Sequence, residues 1–405
     1  MSQTRTVLVV PRNLPTGRKE SFFRTELREL VSREDAIWVC PARTEGAPDK
    51  RLIQGNEDSW IDRPSLIRNL RLLLELPGWR SAVTSLIQAL RALDMRSRGR
   101  LLLSLPRVIA MAAEARKLGT RRVHALAANH PATVAMLVAD AISAEFSFVC
   151  HRGDVIGEPL TLLRRKVERS VDIRCIAEVS RSLIVGRTPS AASKIRVNRI
   201  GVCCDAHPAP SVSEAKGEKR VLLAVGNLVP VKGHALLLES VAKVRSLGYD
   251  VETWLVGDGD ERDRLVRIAR DLGIASSVTF LGHLPHEEVL KLLGATPGLL
   301  FVHPSLHEGQ THEGIPISLV EAMCVGLEAV ASDSGGIPEL ADESGLVTFQ
   351  AGSSDALTEV LCGVLGRSDA ERREARESAR RRARALHCVT ERAAEEAEAL
   401  LRPYS

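Results

Sequence analysis

Short runs of aliphatic and β-branched residues alternate with longer stretches in which apolar positions recur every three to four residues. This rhythm is laid down twice along the 405-residue chain. In the first half, TVLVV at residues 6–10 predicts a strand, followed by a helix over 20–32 and a strand over 36–40. Residues 63–119 read as Leu- and Arg-rich helices, broken near Pro77–Gly78 and near Gly99. Strands are predicted at 123–126, 146–150, 174–178 and 194–197, with a helix over 131–142. A polar stretch rich in Pro, Ser and charge (residues 204–219) then reads as a linker.

Beyond it the alternation restarts. Strands at 220–225, 252–256, 278–281, 298–302 and 328–332 are interleaved with helices at 234–247, 261–272, 286–293, 316–324 and 336–340. Nearly continuous apolar strands separated by amphipathic helices predict parallel sheets covered on both faces. The pattern therefore predicts an α/β chain of two doubly wound, Rossmann-like domains, with ligands at the carboxyl ends of the strands. The expected division is a first domain over 1–204 with a basic helical insertion at 63–122, a linker at 205–219, a second domain over 220–369, and a helical segment over 370–405 packing back toward the first domain.

Composition narrows the class. The length suits two or three domains. Aromatics are 3%, too few for base-stacking platforms, and the net charge of +4 gives no ground for a nucleic-acid partner. That charge is unevenly placed: residues 63–122 hold 13 Lys or Arg against Glu75, Asp94 and Glu114. Two readings stay open for this stretch, solvated helix faces or a cationic surface resting on anionic lipid or on an acidic, lipid-linked molecule. The eight cysteines form no Cys-x-x-Cys pair and read as reduced, buried thiols. MSQTR runs directly into a strand, and no apolar run approaches a bilayer span, so a cytoplasmic protein is expected, in peripheral contact with the inner membrane face under the second reading of residues 63–122.

The stretch from Phe301 to Leu340, FVHPSLHEGQTHEGIPISLVEAMCVGLEAVASDSGGIPEL, carries the most chemistry. Glu313 follows a strand, Pro316 suits the first turn of the next helix, and Glu321 lies on that helix. The N–H groups of Gly314, Ile315 and Ile317 would face an anion. A helix carboxylate such as Glu321 can accept two hydrogen bonds from a vicinal diol, and Glu313 can hold a hydroxyl of a sugar ring. Asp258-Gly-Asp260 could suggest a metal, but its place after a strand makes Asp260 an expected helix N-cap. His303, His307 and His312 are too irregularly spaced for a metal cluster.

Glu313-x7-Glu321 within HEGIPISLVEAMCVG, followed by SGGIPEL, resembles the signature of the retaining glycosyltransferase family 4, the glycosyltransferases group 1. The resemblance is nearest to members of exopolysaccharide, colanic-acid and amylovoran type. It extends to GNLVPVKGH (Gly226 to His234), VGDGDERDRL and FLGHLPHEEV, covering nearly all of residues 220–362. It implies the GT-B fold, two Rossmann-like domains facing each other across a cleft, and transfer of sugar from a UDP- or GDP-sugar with retention of configuration and without metal or other cofactor. It implies that Glu313 faces the donor sugar, Glu321 binds the ribose, and Lys232 meets the diphosphate. Asn227 stands where the family has Arg, which opens an alternative reading as a weakly active or non-catalytic nucleotide-sugar-binding relative. Glu328 replaces the family Pro and reads as local and structural.

In the first half, FSFVCHRGDV resembles the family strand ending in His-Gly-x-Asp, which implies His151 and Asp154 on the acceptor side. LPTGRKESFFRTEL resembles a segment of exopolysaccharide-type members and implies Glu20 and Ser21 on the same side. His124 is similarly placed to a family histidine, and core packing is an equal alternative for it. The acceptor implied is a glycan, a lipid-linked sugar or a small metabolite.

Overall fold

The computed structural model describes residues 6–11, 13–14, 21–33, 37–40, 42–44, 66–204, 220–296, 298–307, 314–341 and 344–402. It forms two compact units, Met1–Gly201 with Val389–Ser405, and Val202–Cys388. The first contains β1 (Thr6–Val10), β2 (Asn13–Leu14), β3 (Ile37–Val39), β4 (Arg43–Thr44), β5 (Thr120–Ala125), β6 (Glu145–Cys150), β7 (Asp172–Cys175) and β8 (Ile195–Val197). Its main sheet runs β3-β1-β5-β6-β7-β8, parallel at every pairing, and β2 pairs with β4 separately. The second unit contains β9 (Arg220–Val225), β10 (Val251–Val256), β11 (Val278–Gly282), β12 (Leu299–His303), β13 (Glu328–Ser332) and β14 (Val347–Phe349). Their order is β11-β10-β9-β12-β13-β14, again all parallel. Both sheets are doubly wound, and the strand order of the second reverses between β9 and β12. Most strand runs are apolar because helices cover both faces, and each unit has its own core dominated by Leu, Val and Ala side chains.

The first unit is also held by buried charge. Arg174 on β7 is fully buried; it pairs with Glu26, lies 3.3 Å from Glu396, and donates to the carbonyls of Asn198 and Arg199 at 2.8 and 2.9 Å. Arg196 on β8 makes a two-pronged contact with Glu396, 2.7 Å to each oxygen. Arg122 on β5 donates to the carbonyls of Ala399, Leu400 and Arg402. It thus satisfies the open carbonyls at the end of helix Val389–Leu401 with a cation, where the helix dipole favours one. Burial pushes the Glu396 carboxyl up, but Arg196 and Arg174 outweigh it and hold it below the usual carboxylate range. In the second unit, the fully buried Glu328 accepts from Arg220 at 2.8 Å and lies near Arg367 and Arg376, the structural role expected of it.

Four local expectations are corrected. Gly99 does not break a helix: Met95–Lys117 runs through it, and the break falls at Asp94, whose side chain caps the helix by accepting from Ser97 N at 3.0 Å. The C-terminal helical segment breaks at Cys388 into Asp369–His387, in the second unit, and Val389–Leu401, in the first. Asp260 is not the cap of helix Arg262–Asp271; Glu261 holds that position without a side-chain bond. The cysteines are not all reduced and buried. Cys204, at the entry to the second unit, is disulfide-bonded to Cys324 on helix Ile317–Val325, while Cys203 is free and exposed. Among the described residues no helix is long and apolar enough to cross a membrane.

Glu396→Ala strips Arg196 and Arg174 of a shared buried partner, and removing one member of a buried ion cluster costs about 3–5 kcal/mol. We expect a loss of that size in denaturant unfolding of the first unit near neutral pH. The contribution is present above the ordinary carboxylate range and is lost as pH falls through the depressed value, so wild type and variant converge in acid. A loss under about 1 kcal/mol at neutral pH would show that Glu26 and Asp172 neutralise the cluster without it.

Candidate functional site

The second unit places two loops side by side where its strand order reverses. The loop after β9 carries Asn227, exposed, and turns through the 3-10 segment Pro230–Lys232. Gly233 follows at φ 66°, and a Cβ there would meet the Pro304 carbonyl at 1.8 Å. Only glycine lets the β9 loop rest on the residues leaving β12. Leu306 N donates to the Val231 carbonyl at 2.8 Å, and Ser318 Oγ to the Val225 carbonyl at 3.3 Å. Gly257, at φ 141°, would drive a Cβ to 1.9 Å from the Gly226 carbonyl, so the β10 loop lies equally close on the other side.

After β12, Pro316 occupies the N-cap of helix Ile317–Val325 rather than its first turn. The first capping bonds are donated by Leu319 and Val320 to the Pro316 carbonyl. The N–H groups of Ile317 and Ser318 precede that ladder, and such groups with the helix dipole favour an anion. Gly314 is half-buried, Ile315 and Pro316 are buried, and the Gly314 carbonyl accepts from Gly336 N at 3.1 Å, which ties the SGGIPEL turn to this loop. Glu321 follows on the helix, 6% exposed. His286 Nε2 lies 2.6 Å from Glu321 Oε1. Glu313 and His312 lie outside the described residues.

The electrostatics of this edge are one-sided. Lys232 is half-buried with its stem against Gly226, and burial brings its amine down to about 8. His234, the next residue but one, is buried and brought down to about 4, chiefly by burial; the Asn227 backbone pushes it up and Lys232 pushes it down. His303 is buried, bonded through Nε2 to Ser305 Oγ at 2.9 Å, and held well below its ordinary value by burial, Lys232 and His234. Lys232 thus lowers both histidines, an arrangement that a bound anion would relieve.

In the first unit, His151 caps helix Arg152–Gly157 at the end of β6, with Nε2 donating to the Leu126 carbonyl at 3.2 Å. Asp154 accepts from Asn129 Nδ2 at 2.7 Å. Burial lowers the His151 pKa and the nearby Asp154 raises it, with a net downward shift. His151 and Asp154 are therefore brought together. The loop they face is anchored by Lys166, fully buried, which donates to the carbonyls of Ala128 and Asn129 at 2.8 and 2.9 Å and pairs with Glu158. His124 is core: it is fully buried, 2.9 Å from Ser147 Oγ and 3.5 Å from Glu396, and brought down to about 3 by burial. Glu20 lies outside the described residues; Ser21 opens helix Ser21–Arg33.

Sequence reasoning missed His286 and Lys166. His286 lies 35 residues from Glu321, and its one local signal is Pro285, which opens the helix on which it stands. Lys166 lies on helix Leu160–Arg169, and no local pattern marks it, because its partners Ala128 and Asn129 are distant in sequence.

The sequence profile of the family described as glycosyl transferases group 1 matches residues 208–384. Over 173 residues the chain is 31% identical to the amylovoran biosynthesis glycosyltransferase AmsK of Erwinia amylovora, a match covering 42% of each chain. Over 150 residues it is 30% identical to a GDP-mannose-dependent phosphatidylinositol monomannoside mannosyltransferase of Mycolicibacterium smegmatis, covering 37% of this chain and 39% of that one. The chain thus spans about two fifths of the length of these curated relatives. Among solved structures, a glycosyltransferase of Rickettsia africae superposes with a TM-score of 0.70 at 14% identity, covering 99% of this chain and 100% of that one. HepE of Anabaena in complex with UDP superposes at 0.71 with 16% identity, covering 98% and 99%. At these identities the superpositions establish the GT-B fold, two Rossmann-like doubly wound domains.

Proposed function

We propose that this protein transfers a sugar from a UDP- or GDP-sugar to a glycan, lipid-linked or small-molecule acceptor, with retention of configuration; the match of residues 208–384 to the glycosyl transferases group 1 family supports this reading. The observation that carries the reading is the basic, glycine-packed edge at the strand reversal of the second unit. There Lys232, the N-terminus of helix Ile317–Val325 and Glu321 stand on adjoining loops. The diphosphate is assigned to Lys232, Asn227 and the N–H groups of Gly314, Ile315 and Ile317. The ribose is assigned to Glu321, and the sugar to Glu313 by its place in the motif.

Departure of the nucleoside diphosphate develops negative charge. A partly desolvated lysine and preorganised N–H donors stabilise that charge more than they stabilise the ground state. No metal is needed in this scheme, and a phosphate oxygen of the leaving group can take the acceptor proton. His151, whose pKa burial lowers, and Asp154 are assigned to the acceptor hydroxyl. Glu20 and Ser21 are assigned to the same side.

A lipid-borne acceptor is favoured by the basic helices of the first unit. Leu74, Ile87, Met95, Leu102, Leu103 and Leu118 are all exposed there. Met95, Leu102 and Leu103 share one face of helix Met95–Lys117, with exposed Arg96 and Arg100 beside them. Exposed apolar side chains flanked by arginines suit an anionic lipid surface, and the mycobacterial relative is named for a phosphatidylinositol acceptor.

Glu321→Ala should weaken UDP or GDP binding about tenfold to a hundredfold, the worth of a hydrogen bond to a carboxylate, about 1.5–3 kcal/mol. Unchanged affinity in calorimetry would remove Glu321 from the ribose site. Lys232→Ala should cost more in transfer rate than in binding of the uncharged nucleoside. In wild type, diphosphate affinity should fall as pH climbs past about 8, and the variant should lose that dependence. Equal activity of the two proteins would take Lys232 out of the mechanism.

The full chain should also sediment with vesicles containing phosphatidylglycerol and be released as salt rises. Each basic residue near the surface contributes about 1 kcal/mol, screened over about 8–10 Å. Replacing Arg96 and Arg100 with Gln together with Leu102 and Leu103 with Ser should abolish this while leaving UDP or GDP binding intact. Arg98 is spared because it closes the preceding helix, donating to the Leu93 carbonyl at 2.7 Å. Failure to sediment at low salt would leave the stretch as solvated helix surface.

A further inference from the structure

Glu321 is the one carboxylate of the proposed donor site that the structure describes, and it does not stand alone. It is 6% exposed, and among the described residues His286 is the only side chain that hydrogen-bonds it. His286 Nε2 sits 2.6 Å from Oε1, and Oε2 takes no hydrogen bond from any described residue. The imidazole is placed by Pro285, which holds the N-cap of helix His286–Ala295 and so points the first residue of that helix at helix Ile317–Val325. Its side chain is 43% exposed, so it stands between the carboxylate and solvent.

An unpartnered carboxylate is free to turn about its last torsion. A donor fixed on one oxygen prevents that. It leaves the second oxygen, and the remaining lone pair of the first, without a hydrogen bond from any described residue.

We propose that His286 is a positioning residue for nucleotide recognition: by holding Oε1 of Glu321 it presents the carboxylate in one orientation to the vicinal hydroxyls of the nucleotide ribose. This rests on the reading of Glu321 as the ribose ligand. The contact is charge-assisted when the imidazole is protonated and weaker when it is neutral. Two acidic groups face the ring, Glu321 from the opposing helix and Glu287 from its own. The hydrogen bond to Glu321, opposed by burial and aided by both carboxylates, moves the His286 pKa above its ordinary value. Ribose recognition is therefore strongest below that raised value and fades as pH rises through it.

The probes are UDP and GDP and their 2′-deoxy forms, titrated calorimetrically against the full chain. Wild type should prefer the ribonucleotide, and Glu321→Ala should abolish the preference. His286→Ala should lower ribonucleotide affinity about three- to tenfold while leaving the deoxy form nearly unchanged. The double variant should be no worse than Glu321→Ala alone, because the two residues act through one contact. His286→Gln, which keeps a donor but cannot titrate, should retain the preference at neutral pH and lose its decline with rising pH. A merely structural histidine would shift the melting temperature and leave the ratio of the two affinities unmoved. An unchanged ratio in His286→Ala, or additive losses in the double variant, overturns the proposal while Glu321 keeps its role. If neither diphosphate binds, or Glu321→Ala leaves the ratio intact, the donor-site reading itself falls and this inference falls with it.

Discussion

The candidate site depends on a packing constraint: the loops leaving β9, β10 and β12 lie closer together than any side chain would permit. A Cβ at Gly233 would fall inside the Pro304 carbonyl, and one at Gly257 inside the Gly226 carbonyl. These contacts use positive φ values open to glycine at little steric cost, 66° and 141°. From them follows the stem of Lys232 lying over Gly226, with its amine at the strand reversal. The Leu306–Val231 and Ser318–Val225 bonds then bring the next helix to the same edge. A glycine lost at either position would move the cation away from the helix N-terminus without touching a functional side chain.

Buried charge is handled in two ways, matched by counter-charges within the chain around Glu396 and Glu328 and gathered as basic groups around Lys232. In the first unit, Arg174, Arg196 and Arg122 are matched by Glu26, Glu396, Glu145 and a set of backbone carbonyls. Their counter-charges outweigh burial, and the carboxyl of Glu396 is pulled down. At the strand reversal of the second unit, Lys232 is lowered by burial and itself lowers His234 and His303. Counter-charges within the chain answer the first arrangement, whereas a cluster of like groups is a candidate place for a ligand of opposite sign. The same criterion assigns His124 to the core, because Ser147 and Glu396 meet its ring within the sheet, and leaves His151 at a strand end beside Asp154.

Much of this was legible in the sequence wherever the signal is local. RVLLAV and EAVAS are β9 and β13 to the residue, because uninterrupted apolar runs bounded by turn residues have little other use in a doubly wound sheet. Gly314, Pro316 and Glu321 could be read from spacing, since one loop and one helix turn set their relation, whereas Lys232 is reached through the resemblance of GNLVPVKGH. Legibility ended where local and tertiary terms compete. Gly99 reads as a breaker, yet the Asp94 cap pins the helix start upstream and flanking helix formers carry the chain through. The helix predicted through Cys388 breaks there because Val202 N takes the His387 carbonyl and Val202 bridges Cys388. Glu26 and Arg174 are 148 residues apart, and no periodicity announces such a pair.

His286 and Glu321 show the same limit inside the site. Pro285 gives His286 its place, and the buried helix face gives Glu321 its place, but their meeting is a property of the packing between two helices. A carboxylate that must accept hydroxyls needs to be ionised, oriented and still partly unbonded, three demands that burial alone sets against one another. Full solvation would keep it charged but unoriented. A bidentate arginine would orient it and occupy both oxygens. A single imidazole nitrogen on one oxygen meets all three demands, because it supplies one hydrogen bond and a charge that comes and goes near neutrality. That economy makes a half-exposed histidine an informative companion to a buried acid, and it is why a site reading confined to the motif residues is incomplete.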